Sequence, residues 1–133
     1  MATNVGDIIT KVTLFGVAGW VAENALCQQD RFRYSSVFGG VKIPFMPLFA
    51  ANGVALTAVA PYVSKWPWLA RGLTYSALGT AVEWVGCQID RKLLSRRSWD
   101  YGSSEALAES TEGCVSLPRS ALWAGMGLIA EKI

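Results

Sequence analysis

The sequence predicts an all-α fold: a four-helix integral membrane bundle built from two repeated helical hairpins. Three observations predict it. Four apolar segments separate cleanly along a chain of 133 residues, which is the length of one domain. The stretch Glu-Asn-Ala-Leu-Cys-Gln-Gln-Asp-Arg at 23–31 returns as Glu-Trp-Val-Gly-Cys-Gln-Ile-Asp-Arg at 83–91, with five identities at a constant offset of sixty. Apolar residues make up 52% and charged residues 17%, against a usual charged share of about 25%. The mean hydropathy of +0.30 is modest for a multi-pass protein.

The first segment runs over residues 8–27 and carries Lys11 and Glu23. The second, 43–63, holds twenty-one residues without a charge. The third, 68–89, carries Arg71 and Glu83, and the fourth, 115–130, carries Arg119. A spanning helix needs about 20 mainly apolar residues. The second segment meets this outright. The first and third meet it with their charges turned to protein or interface, and the shorter fourth needs tilt, thinning or snorkelling of Lys132. Between them lie a polar and aromatic connection at 28–42 with Gly39-Gly40 as a turn, a tight link at 64–67, and a long Ser- and Glu-rich loop at 92–113. Pro67 suits a first helical turn. Residues 1–133 thus form a single membrane domain, with repeat one over 8–63 and repeat two over 68–130.

Small residues recur in the first and third segments: Gly16, Ala18, Gly19 and Ala22, then Gly72, Ser76, Gly79 and Thr80. In lipid such residues let helix backbones approach closely, whereas in water each internal glycine costs about 1 kcal/mol relative to alanine. Trp66, Trp68 and Trp99 lie near segment ends, as an interfacial belt requires, while Trp123 is mid-segment. Basic residues set orientation. Arg31, Arg33, Lys42, Arg91, Lys92, Arg96 and Arg97 follow the first and third segments, against Lys11, Lys65, Arg71 and Lys132 on the other side. Seven against four assigns the first group to the cytoplasm.

On a helix, positions i, i+4, i+7 and i+8 share a face. Glu23, Cys27, Asp30 and Arg31 occupy them, as do Glu83, Cys87, Asp90 and Arg91. Parallel repeats would set Glu23 and Glu83 at equal depth, facing one another. A carboxylate at membrane depth marks function by default. Two close together share a proton, and Arg119 is the natural counter-ion, with Arg71 a second candidate. The functional reading is a proton, cation or polar-substrate site; the structural reading is a Glu–Arg network that fixes packing.

Cys27 and Cys87 read as small buried hydrophobes, and three cysteines, with Cys114, make no closed disulfide set. Asp30-Arg31 and Asp90-Arg91 read as caps for exposed helix carbonyls. Trp99-Asp100-Tyr101 in the long loop reads as an interfacial plug, a candidate gate. The absence of histidine removes His-based triads and most zinc sites. No nucleotide-binding loop or nucleic-acid footprint occurs. No metal, no cofactor and no enzymatic activity are expected.

The chain resembles the type IV ABC-transporter (CmpB-like) family of small integral membrane proteins. The family's Gly-Trp-x-x-Glu is matched by Gly19-Trp20-Val21-Ala22-Glu23, and its Glu-Tyr looks like Glu83-Trp84. Its Trp-Asp-Tyr-Ser resembles Trp99-Asp100-Tyr101-Gly102. Its last-helix motif is similar to 113–124, with Cys114 and Ser116 where the family has Arg and Cys. A Gly-rich turn before Pro-Ile-Tyr-Gly matches Gly39-Gly40 and Pro47-Leu48-Phe49-Ala50 loosely. The resemblance implies a multi-pass membrane protein, permease-like or channel-like. It would sit in a lipid bilayer as a homo-oligomer or as a subunit of a membrane complex. The alternatives are a non-catalytic scaffold subunit and, third, a soluble helical bundle.

Overall fold

The structure, a computed structural model, describes residues 4–26, 34–36, 42–44, 47–93, 95, 102 and 106–132. Four α-helices carry it: α1 (Val5–Leu26), α2 (Pro47–Val63), α3 (Trp68–Gln88) and α4 (Leu117–Ala130). Two three-residue strands, β1 (Tyr34–Ser36) and β2 (Lys42–Pro44), pair antiparallel between α1 and α2, with Ser35 opposite Ile43. The helices pack in chain order, α1 on α2, α2 on α3 and α3 on α4.

Helix starts follow local chemistry. Asn4 caps α1 by accepting from the Gly6 amide at 3.0 Å, and Asp7 in the first turn pairs with Lys11 at 3.4 Å. Pro67 precedes α3 with φ −54°, the value its ring fixes. Ser116 caps α4, its hydroxyl accepting from the Arg119 amide, with Pro118 in the first turn. The uncharged run at 43–63 is not one helix. It yields β2 and then a seventeen-residue α2 that opens on Pro47. Two prolines explain the break: neither Pro44 nor Pro47 donates an amide, and Pro44 favours the extended backbone found at Ile43.

Each hairpin is locked by two aromatic rings seated over glycines. Between α1 and α2, Phe15 lies over Gly53 and Phe49 over Gly19; between α3 and α4, Tyr75 lies over Gly127 and Trp123 over Gly79. A methyl group at Gly53 would sit 2.8 Å from the Phe15 Cβ, and one at Gly79 2.6 Å from the Trp123 Cβ. The first-helix members of these pairs are related by the offset of sixty, as in Phe15 and Tyr75. The second-helix members are related by seventy-four, as in Phe49 and Trp123. Within the small-residue pattern, Gly19 and Gly79 therefore seat aromatic rings, while Gly16 and Gly72 face Ala50 and Leu128. Phe15, Leu56, Val63 and Tyr75 form one buried cluster, and Leu48, Cys87, Cys114 and Val115 a second at the opposite end of α3.

Cys87 corrects the reading of these cysteines as packing groups alone. It is bonded to Cys114, with Cα atoms 5.6 Å apart and a sequence separation of 27. The approach to Cys114 is a tight turn: Glu112 and Gly113 have φ of 55° and 79°, and the Gly113 amide reaches the Ala108 carbonyl at 2.7 Å. Glycine adopts that left-handed backbone without steric cost.

Candidate functional site

Glu83 stands in the last third of α3, only 1% exposed. Gly79, one turn earlier, offers no side chain, so the Trp123 indole lies flat on α3 and its Nε1–H donates to Glu83 Oε2 at 3.1 Å. A donor aimed at a buried carboxylate offsets part of its desolvation. The Trp123 ring also lies 5.6 Å from the Phe49 ring, tilted by 45°. Around this pair the interior is polar. Thr80 donates to the Ser120 hydroxyl at 2.7 Å, and Ser76 to the Ser120 carbonyl at 2.7 Å. Asn52 on α2 is fully buried; its Nδ2 donates to the Leu48 carbonyl at 3.3 Å.

The register of α3 against α4 places Arg119. Tyr75 lies over Gly127 and Gly79 under Trp123, so each four-residue step along α3 matches four residues back along α4. The next step brings position 119 opposite Glu83. Arg119 is half-buried there, and both residues make other interactions besides those described. The Glu23 backbone lies in α1, one turn beyond Gly19, and its side chain falls outside the described residues. Cys27, Asp30, Arg31, Trp99, Asp100 and Tyr101 also lie outside the described residues.

Arg71 is engaged elsewhere. Its Nε lies 3.1 Å from Glu131 Oε1 and its Nη1 donates to the Trp66 carbonyl at 2.7 Å. The Tyr75 hydroxyl donates to the same Glu131 carboxylate. Arg71 precedes Glu83 by twelve residues, about 18 Å of helix. It ties α4 to the α2–α3 turn and is no counter-ion for Glu83. Asp90 and Arg91 sit in a single π-helical turn, Ile89–Leu93, that continues α3. Asp90 is buried, and Arg91 donates to the Glu112 carbonyl at 2.6 Å. Arg91 thus satisfies a carbonyl of the long loop.

Three participants escaped sequence reasoning: Trp123 as donor, Asn52 as buried amide, and Cys114 as partner of Cys87. The seventy-four-residue offset between Phe49-x-x-x-Gly53 and Trp123-x-x-x-Gly127 was the signal for the first.

A family model described as "Putative ABC-transporter type IV" matches residues 11–133. The chain belongs to that family. The match spans all four helices, so the type IV ABC-transporter relationship covers both hairpins and the level of Glu83. No curated protein matches the chain, and no solved structure does. Among the described residues, no helix is long and apolar enough to cross a membrane.

Proposed function

We propose that the chain is a small membrane-embedded subunit of a transporter-related assembly, permease-like or channel-like, with a proton, cation or polar-substrate site at the level of Glu83. The observation that carries this reading is a set of buried polar groups beneath a surface that exposes many large apolar ones. Glu83, Asn52, Asp90 and Ser120 are buried, while Val17, Leu73, Leu122 and Ile129 are exposed. In water that arrangement is unfavourable twice over, since polar groups lose hydration and apolar groups keep it. Hydrocarbon around the helices removes the second cost, and a conducting interior gives the first a purpose. Family membership supports the transport context. The shorter α2 and α4 then call for a locally thinned bilayer, with exposed Trp66 and Trp68 at one interface.

In this reading Glu23 and Glu83 supply the negative charge of the site and Arg119 its counter-charge. One observation favours the scaffold alternative: the Trp123–Glu83 hydrogen bond fastens α4 to α3, as a purely structural carboxylate would. Two measurements decide. Alkaline carbonate should leave the protein in the membrane pellet; release without detergent overturns the embedded reading. In proteoliposomes, Glu83→Gln should retain the wild-type melting temperature and lose most of the flux of sodium, rubidium or protons that the wild type shows. Full flux from that variant removes Glu83 from the pathway. A wild type without flux, whose association with neighbouring subunits fails in Glu83→Gln, favours the scaffold.

Orientation follows from a different observation. Disulfides persist in oxidising compartments, so the Cys87–Cys114 bond supports exposing the α3–α4 connection outside the cytoplasm, against the basic-residue bias. In a Cys27→Ser background, Ser95→Cys should then react with a membrane-impermeant maleimide on intact cells. Reaction only after lysis assigns that loop to the cytoplasm.

A further inference from the structure

We propose that the end of the bundle formed by the α2–α3 turn and the end of α4 binds anionic phospholipid headgroups, with Lys65 and Lys132 as the phosphate partners. This deepens the embedded reading above and rests on it. The starting point is a set of contacts that brings two exposed lysines together. The Arg71 guanidinium touches both segments: its Nε lies 3.1 Å from Glu131 Oε1, and its Nη1 donates to the carbonyls of Trp66 at 2.7 Å and Ser64 at 3.4 Å. The Tyr75 hydroxyl holds the same carboxylate from α3. Lys65 lies between the two accepting carbonyls, and Lys132 follows the held carboxylate, so one guanidinium joins their backbone positions. Both lysines are exposed.

Charge at this end is unbalanced. Helix α1 starts here too: Phe15 lies over Gly53 and Phe49 over Gly19, so each step toward the start of α1 runs toward the end of α2. The charges of α1 cancel, because Asp7 pairs with Lys11 at 3.4 Å. Glu131 is matched by Arg71. Among the described residues of this end, four basic side chains face two acidic ones, and the unmatched pair is Lys65 and Lys132.

The surface around them is aromatic. Tyr62 is 82% exposed and Trp68 67%, with Trp66 and Leu69 exposed beside them. Four large apolar side chains laid bare within residues 62–69 mark a contact surface. A bilayer surface supplies both counterparts at once: phosphate for the lysines, and the headgroup–acyl boundary for amphipathic rings. The Cys87–Cys114 bond lies at the other end of α3. With that end outside the cytoplasm, the Lys65 end meets the cytoplasmic leaflet, whose surface is negative.

Purified protein in a neutral detergent tests this by thermal unfolding with added phosphatidylglycerol or phosphatidylcholine. Wild type should melt at least about 4 °C higher with the anionic lipid than with the zwitterionic one. The difference should shrink in about 0.5 M sodium chloride. The double variant Lys65→Gln/Lys132→Gln should lose most of it, while melting within about 2 °C of wild type in phosphatidylcholine, since exposed substitutions change stability little. Lys92→Gln, at an exposed lysine beyond the other end of α3, should keep it. Equal wild-type melting in the two lipids, a difference that survives in the double variant, or one that Lys92→Gln abolishes as fully, overturns the proposal. A rise of the same size with inorganic phosphate and no lipid assigns a free-anion site and overturns it too. Release by alkaline carbonate would remove this proposal together with the embedded reading, whereas lipid-indifferent melting of a protein retained in the pellet rejects the lipid contact alone.

Discussion

Gly79→Ala should strongly destabilise the second hairpin. The added methyl would lie 2.6 Å from the Trp123 Cβ and 2.8 Å from its Cδ2. Those atoms belong to the root of a ring that is itself buried, so no rotamer change relieves the clash and α4 must move away from α3. Overpacking of that kind costs about 3 kcal/mol, or roughly 10 °C of melting temperature for a domain this size. The displacement also draws the indole off Glu83, so intrinsic fluorescence should change before unfolding begins. Gly125→Ala is the control. Nothing lies within 4 Å of a methyl there, and alanine's better helix propensity should stabilise by up to about 1 kcal/mol. Equal melting of the two variants would show that Trp123 does not need the Gly79 seat.

The second large effect concerns the bridge. Replacing both Cys87 and Cys114 by serine should cost about 2–4 kcal/mol, since the closed loop no longer restrains the unfolded chain. It also opens the cluster that Cys87 and Cys114 form with Leu48 and Val115. Thermal melts of wild type with and without reductant should reproduce the loss, while the double variant should be indifferent to reductant. With three cysteines and one bond between two of them, one free thiol per unfolded chain should titrate without reductant. Three free thiols, or a double variant as stable as wild type, would remove the bridge from the account.

Hydrophobic segmentation reads α1 and α3 well, because their apolar runs end where polar residues begin. It over-extends α2, since averaging over 43–63 hides two prolines whose constraint is steric. Glu83 and Arg119 were legible as candidates because charges inside apolar runs are few. The register between α3 and α4 was not legible, because it is set by ring-over-glycine contacts that only three dimensions reveal. Cys114 was invisible as a partner for a similar reason. Its approach to Cys87 depends on left-handed backbone at Glu112 and Gly113, which brings together residues at a sequence separation of 27. Asn52 sits in an uncharged run and carries no periodic signal.

The ring-over-glycine seats also set an order for biosynthesis. As the nascent chain leaves the ribosome, both locks of the first hairpin become available once Gly53 has emerged. The second hairpin's last lock waits for Gly127, after the long loop and the cysteine pairing have been negotiated. Until Trp123 has emerged, Glu83 lacks the indole that donates to it in the finished fold.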